Sequence, residues 1–594
     1  MQRRISILRF LPLAAVLSIS ALGCSEDPAN PGGSTGGSGG AGGGTTGGQS
    51  GSGGARDAAT ETSTPTDAGA DTSTPPPPQD AASDGRRNDA TADTSADVSR
   101  PNDATTMDTP RIDVSVDTST PPTGDASMPE TGGGTDSTLP DTGGPTSDAG
   151  CDSTLTGVDL FRCQALTYGK PLELLQDLTS TVGPRLAGTT GFANAVTWAT
   201  AKLTALGLQN VKTEAVTVPH WERGDGHAEL LGATERPLAI AALGGSVGTA
   251  AGGIEAEVIE VASVSALNAL SNSQVQGKIV FVNVVTQRTK DASGYSAAVS
   301  ARRSGPSTAS SKGAAGYIVR SITPATDNAP HTGDMNNSSI PSVAIGVADA
   351  LVLSDAIKAG TTRVRLTLGC QSLPNVQAAN VIGEFVGKGA PGEILLLGAH
   401  LDSWDLATGA HDDGAGVAMV AEAARLISVY ANDTRRTVRV VLFANEEFGL
   451  SGANAYASAH SSELAKHVMA LDADLGGDRV YGATFQAGSS ATTTIRDLLA
   501  PLAPLGVATA TTGGDYGADL GPIRRQGVPV AELPQDLTRY FDFHHAPTDT
   551  MAAIDAAALQ QATAAVAVFA YQLARSSADF GRASFTADTP EHEH

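Results

Sequence analysis

Leu395-Leu-Leu-Gly-Ala-His-Leu-Asp-Ser-Trp-Asp-Leu-Ala-Thr-Gly-Ala-His-Asp-Asp-Gly-Ala-Gly416 runs from an apolar stretch through a charged loop into a segment with helical spacing. Glu393–Gly398 reads as a buried strand, and Gly414–Tyr430 carries Ala, Val, Met and Leu at intervals of three and four, the period of a helix. The same alternation continues outward. Thr437–Ala444 reads as a strand, Ser451–His460 as a helix, His467–Leu471 as a strand, Thr492–Leu505 as a helix, Gly527–Leu533 as a strand and Ala556–Ser577 as a closing helix. Strands that alternate with helices argue for an α/β domain with a mostly parallel sheet and helices on both faces. Ligand sites in such sheets lie beyond the carboxyl ends of the strands.

Upstream, residues 236–372 are richer in short strands. Ile254–Val261, Lys278–Val285, Gly316–Val319 and Val364–Leu368 are β-branched runs bounded by turn residues. Before them, 151–235 begins with helical spacing at Pro171–Leu178 and Thr190–Leu206, separated by the loop Val182-Gly-Pro-Arg-Leu-Ala-Gly188, and then becomes extended.

The first quarter of the chain has a different composition. Arg3, Arg4 and Arg9 precede an apolar run, Phe10–Gly23, too short to span a bilayer, and residues 1–24 read as an export signal. Ala21-Leu22-Gly23-Cys24 resembles a lipoprotein cleavage box, with Ala21 where Leu is usual; the expectation is a lipid on Cys24, the other reading an ordinary signal cut nearby. Residues 25–150 contain no aromatic residue and are mostly Gly, Ser, Thr, Pro, Ala and Asp, so they cannot bury enough apolar surface to offset their ordering entropy and read as a disordered tether. That tether carries −15 of the chain's net −25, so the overall acidity says little about the folded part. No basic stripe is present, which argues against nucleic acid as a partner. The lipid anchor would be the protein's one link to a membrane, in an exported bacterial envelope or surface protein or, without lipid, a secreted one. Export permits disulfides, and Cys151 with Cys163 is the expected pair. The tail 577–594 closes on His592 and His594 and is expected to be inert.

Candidate ligands cluster after the strands of the third region, 373–576. His400 and Asp402 follow one strand, Asp412 and Asp413 precede a helix, Glu446 and Glu447 follow a second strand, Asp472 and Asp474 a third, and His544 and His545 stand before the last helix. Singly each has a bland reading, since an Asp before a helix is more often a cap than a ligand. Together they supply what a catalytic metal pair requires: imidazole and carboxylate donors, a bridging carboxylate, and one free carboxylate to move a proton.

The quoted segment 395–416 resembles the di-zinc exopeptidases of the carboxypeptidase Q type. Phe443-Ala-Asn-Glu-Glu-Phe-Gly449 is similar to that family's acid pair, Leu471-Asp-Ala-Asp-Leu-Gly-Gly477 to its Glu-Ser-Asp segment, and Tyr540-Phe-Asp-Phe-His-His-Ala-Pro-Thr-Asp-Thr550 to its last His motif. Gly183–Gly188 matches as well, and residues 236–372 resemble a protease-associated domain inserted as a lid. The resemblance implies hydrolysis of small peptides by a water activated on two Zn2+ per chain. It implies His400 and Glu447 on one zinc, Asp474 and His545 completing the set, Asp412 as the bridge, Glu446 as general base and Asp402 orienting His400. Asp413 becomes a structural or capping residue and His411 a non-ligand. Asp472 stands where the family has Glu, and with His544 is expected near substrate; Asp519 resembles a position near the cleft. Family members are often dimers, so a homodimer is a further expectation. Two other readings are a single-zinc enzyme like the glutaminyl cyclases and a non-catalytic, surface-displayed binding lipoprotein. Neither end specificity nor side-chain preference is visible in the sequence.

Overall fold

The computed structural model describes residues 150–232, 235–508, 511–512, 514 and 516–584. The signal, Cys24, nearly all of the tether, and the end of the tail with His592 and His594 lie outside the described residues.

The strand Ala390–His400 occupies the middle of an eight-stranded sheet. Arg436–Phe443 and His467–Asp472 pair with it in parallel on either side, and Val530–Glu532 continues the parallel run beyond His467–Asp472. Antiparallel partners close the flanks: the long strands Gln209–Glu222 and Gln371–Phe385 on one side and Thr484–Gln486 on the other. The sheet is therefore mixed, with its parallel part at the centre.

Side-chain alternation explains why the central strands are apolar throughout. Leu395, Leu397, Ala399, Val438, Val440 and Leu442 join one core with the helices Ala415–Tyr430 and Ala556–Arg575. Leu396, Val441 and Phe443 enter a second core on the opposite face, with Tyr456 of the helix Ser451–Ala459. Both faces are covered, so the strands lose the polar alternation of a half-exposed sheet. The last helix is rich in Ala, the strongest helix former, and its start is fixed by Asp555, which accepts from the amides of Ala557 and Ala558.

Two expected elements are shorter than their sequence pattern. Thr492–Leu505 is an α-helix only to Leu499 and continues as a 3₁₀ segment, Ala500–Leu505, because Pro501 and Pro504 bring no N–H to the ladder. Gly527–Leu533 contributes a strand only over Val530–Glu532.

Residues 226–368 form a second eight-stranded sheet, centred on the parallel set Ile254–Val261, Ile279–Val282, Gly316–Arg320 and Ser342–Ile345. The chain leaves the first sheet after Glu222 and re-enters it at Gln371, so this sheet is an insertion between two adjacent strands. Cys151 and Cys163 form a disulfide, and Cys370 is free and buried. No helix among the described residues is long and apolar enough to cross a membrane.

Candidate metal centre

His400 is the last residue of the central strand, and register determines what lies beside it. Gly398 pairs with Asp472, so two further residues bring Asp474 level with His400. The His400 Nε2 atom lies 3.4 Å from Asp474 Oδ1 and 3.2 Å from Asp412 Oδ1. At the other end of the Asp412 carboxylate, Oδ2 lies 3.3 Å from His545 Nε2, which is 3.0 Å from Glu447 Oε2. All five side chains are buried. The grouping departs from the resemblance in one respect: His400 stands with Asp474, and Glu447 with His545. The reason is geometric, since His400 ends one strand and Asp474 lies two residues past the end of its parallel neighbour, while Glu447 and His545 come from loops that meet over the opposite oxygen.

This donor set fits a pair of divalent ions. Two groups, His400–Asp412–Asp474 and Asp412–His544–His545, each bring ligand atoms within 4.8 Å of one another, and Asp412 belongs to both. Asp412 Oδ2 is buried and makes no hydrogen bond despite its histidine neighbour. Imidazole nitrogens and carboxylate oxygens are the donors a catalytic zinc takes. Electrostatics agrees in direction. Burial lowers the affinity of His545 for a proton, but the Glu447 and Asp412 carboxylates outweigh burial and push its pKa up to about 9. Burial, followed by Asp412, pushes Glu447 up to about 7. For Asp412 burial acts upward, and His400 and His545 overcome it, holding the carboxyl well below the usual range.

The surrounding acids have distinct positions. Asp402 accepts from the amides of Glu446 (3.1 Å) and Glu447 (3.3 Å), and its Oδ1 lies 3.7 Å from His400 Nδ1, too far for a direct hydrogen bond. It therefore anchors the acid-pair turn more firmly than it orients the ring. Asp413 accepts from the amides of His400 and Gly416, the structural place expected of it. Glu446 is half-buried, and burial raises its carboxyl well above the ordinary value. Burial and then Asp474 push Asp472 to about 8; Asp519 is also raised by burial, with Asp472 the next cause. His544 stacks on His545 at 3.5 Å and its Nε2 lies 3.7 Å from Asp412 Oδ2, so it is beside the metal-ligand candidates. His411 is turned away: its Nε2 meets the Ala553 carbonyl and its Nδ1 accepts from the Gly477 amide.

Four positioning residues escaped identification from the sequence. Asp549, quoted in the last His motif but given no role, accepts from the amides of Ala410, His411 and Asp412 and so fixes the bridging carboxylate's loop. Arg185, in the quoted Gly183–Gly188 loop, donates to the carbonyls of Leu401, Thr408 and Gly409. From a loop of the inserted region, His331 Nδ1 is 2.7 Å from the His544 carbonyl, and burial lowers its pKa to about 4, leaving a neutral ring to donate there. Thr332 donates its amide to the His545 carbonyl at 2.9 Å, while its own carbonyl lies 3.3 Å from His545 Nδ1. No sequence period marks such contacts, because they cross between segments at least 137 residues apart.

A small cavity beside the carboxylates is lined by Trp404, Ala407, Asp412, Glu447, His545 and Asp549. The Trp404 amide donates to Glu447 Oε1 at 3.0 Å, tying this wall to the ligand set.

Comparison with known proteins places this geometry. Residues 380–570 match the model of peptidase family M28. The chain is 35% identical over 416 residues to carboxypeptidase Q of Mus musculus, covering 68% of this chain and 87% of that one, and 34% identical to carboxypeptidase Q of Homo sapiens, covering 68% and 86%. Among solved structures, a peptidase M28 precursor from Shewanella amazonensis is similar with TM-score 0.71 and 38% identity, covering 72% of this chain and 98% of that one. A zinc aminopeptidase from Bacillus subtilis shares the fold with TM-score 0.52 and 21% identity over 71% of this chain and 98% of that one.

Proposed function

We propose, from the premise that the chain belongs to peptidase family M28 and is a metallo-exopeptidase, that it hydrolyses small peptides with two zinc ions held around Asp412. The observation that carries this reading is the pairing of one His and one carboxylate at each oxygen of Asp412. His400 and Asp474 would hold one ion, Glu447 and His545 the other, with Asp412 between them. Bound zinc supplies Lewis acidity to the scissile carbonyl and acidifies a water.

The chain's own groups do the rest. Glu446 takes the proton of the attacking water and returns it to the leaving amine, a role its raised affinity for protons suits. Asp402 holds the amides of Glu446 and Glu447, so base and ligand stay in fixed relation. Asp549 and Arg185 hold the loop that presents Asp412. Trp404 and Ala407 wall the space beside the ligands. A single-zinc enzyme would leave one complete flank of Asp412 without use, which supports the two-ion reading.

In the cell, Cys24 would carry a lipid, residues 25–150 would serve as a stalk at the bacterial envelope, and 236–372 would be a protease-associated lid; the chain could act as a homodimer. Zinc content of the full chain, with turnover of unblocked dipeptides with and without chelator, tests the central reading. Two ions per chain and chelator-sensitive cleavage are expected. A Glu446→Gln protein should keep its zinc and lose about 10²–10⁴-fold in kcat; full turnover in that variant would remove Glu446 from the mechanism.

A further inference from the structure

We propose that Arg302 of the inserted region loosens the zinc ion on the His545 side of Asp412 and so makes that ion the exchangeable one of the pair. The proposal rests on the two-zinc reading and deepens it.

The two histidines meet opposite charges at the ring nitrogen that faces away from Asp412. His400 Nδ1 lies 3.7 Å from Asp402 Oδ1, whereas His545 Nδ1 lies 2.8 Å from Arg302 Nη1. A ligating histidine is ordinarily backed by a carboxylate, carbonyl or water, an acceptor that raises the basicity of the nitrogen on the metal. A guanidinium has five donors, no acceptor and a permanent charge, so it acts in the opposite sense. The acceptor on this side is the Thr332 carbonyl, 3.3 Å from His545 Nδ1, and Arg302 Nη1 competes for the same oxygen at 3.4 Å.

The charge of Arg302 is poorly neutralised. The residue belongs to the short helix Ser300–Arg303 and is 1% exposed, and neither its Nε nor its Nη2 makes a hydrogen bond. Asp334 Oδ1 stands 3.5 Å from Arg302 Nη2, but the other oxygen of that carboxylate is 3.4 Å from Arg303 Nη2. Two guanidinium groups thus share one carboxylate, and positive charge remains against the imidazole. Burying a cation with incomplete pairing is costly. The backbone nevertheless makes room for it: a Cβ on Gly333 would fall 1.3 Å from Arg302 Nη1 and 2.7 Å from His545 Nδ1, so the two side chains meet only across a glycine.

The test uses the full chain, stripped with chelator and titrated with zinc by calorimetry. Wild type should take up two ions of separable affinity. Arg302→Gln should tighten the weaker equivalent by about 10–100-fold, the scale on which outer partners tune a metal ligand, and leave the other unchanged. Arg302→Lys keeps the charge and should keep the wild-type value. Asp334→Asn removes the counter-charge and should weaken the same equivalent. In a His545→Ala chain, the remaining ion should not respond to Arg302→Gln. An Arg302 that merely supports the His545 loop predicts the reverse sign, so weaker zinc binding in Arg302→Gln overturns the proposal. So does an unchanged titration, and so does equal tightening of both equivalents, which would be a field effect not routed through His545. If Arg302→Gln does not fold, Asp334→Asn decides, and an unchanged weaker equivalent there overturns the proposal. A wild-type chain that takes up fewer than two zinc ions overturns the two-zinc reading itself.

Discussion

His400 ends one strand and Asp474 follows directly on the end of its parallel neighbour in the same sheet, whereas His545 stands on a loop whose carbonyl and ring are held by a loop of the inserted region. The first pair needs only strand register to bring its atoms to 3.4 Å. The second needs His545 in the left-handed region at φ 60, a conformation uncommon outside glycine, held by the Thr332 amide on its carbonyl. One half of the centre is thus a product of local pattern, and the other of a tertiary contact. A loop of the inserted region therefore builds part of the site in addition to any covering role.

Removing the shared element should erase the distinction. Asp412→Ala is expected to abolish tight binding of both ions and to lower activity by at least about 10³-fold, since metal-supplied charge stabilisation is worth several kcal/mol. Retention of one tight zinc equivalent would mean that Asp412 is not the bridge.

Next in size, an unequal response should sharpen the comparison. His331→Phe removes the donor to the His544 carbonyl and should weaken one zinc equivalent by about 10–100-fold, the usual scale for lost outer support of a ligand. The other equivalent should titrate as in wild type. Equal weakening of both would show that the two halves are not independent.

Arg185 provides the contrasting case, because its three carbonyl partners lie in the loop leading to the shared Asp412. Arg185→Met should cost about 3 kcal/mol in urea unfolding, from several buried carbonyls left unpaired, and should affect both halves alike. A loss confined to one zinc equivalent would contradict this.

The smallest effect concerns neither half. His460 lies between Glu463 (2.5 Å) and Glu214 (3.0 Å) at the edge of the first sheet. Burial raises both glutamates, but hydrogen bonds and charge from His460, with Lys212 on Glu214 and Arg439 on Glu463, bring each down to about 2. A depressed carboxyl contributes stability above its unfolded value near 4.5, and that contribution disappears as pH falls toward 2. Glu463→Gln should flatten the loss of stability between those values in acid titrations monitored by circular dichroism. An unaltered acid slope would exclude this contact as a source of acid sensitivity.

The sequence revealed much of this architecture for identifiable reasons. Leu395–Gly398 and Val438–Leu442 are buried on both faces, so their apolar runs are unmistakable, and the acids that follow them stand out against alanine and glycine. The five expected ligands do converge around Asp412. Their division between the two oxygens was not legible, because it depends on strand register and on the His545 loop, neither of which leaves a period in the chain. Arg185, His331 and Asp549 were hidden for a related reason: they act on backbone groups of remote segments, and a backbone partner has no residue type to recognise. Thr492–Leu505 misled because its apolar spacing outlasts the helix that Pro501 interrupts.

The disulfide near the start of the described chain has a mechanical consequence. Any pull exerted by the residues before Cys151 is delivered through the sulfur bridge to Cys163, midway along the helix Gly157–Tyr168, instead of peeling that helix from its first turn. The helix is secured close by, with Phe161 against Tyr571 at 4.4 Å and Arg162 donating to the Pro501 carbonyl at 3.1 Å. Load would spread across the side of that helix and into the last helix of the domain, in shear, so that traction on the leading segment would strain the catalytic unit less than an unstapled end would allow.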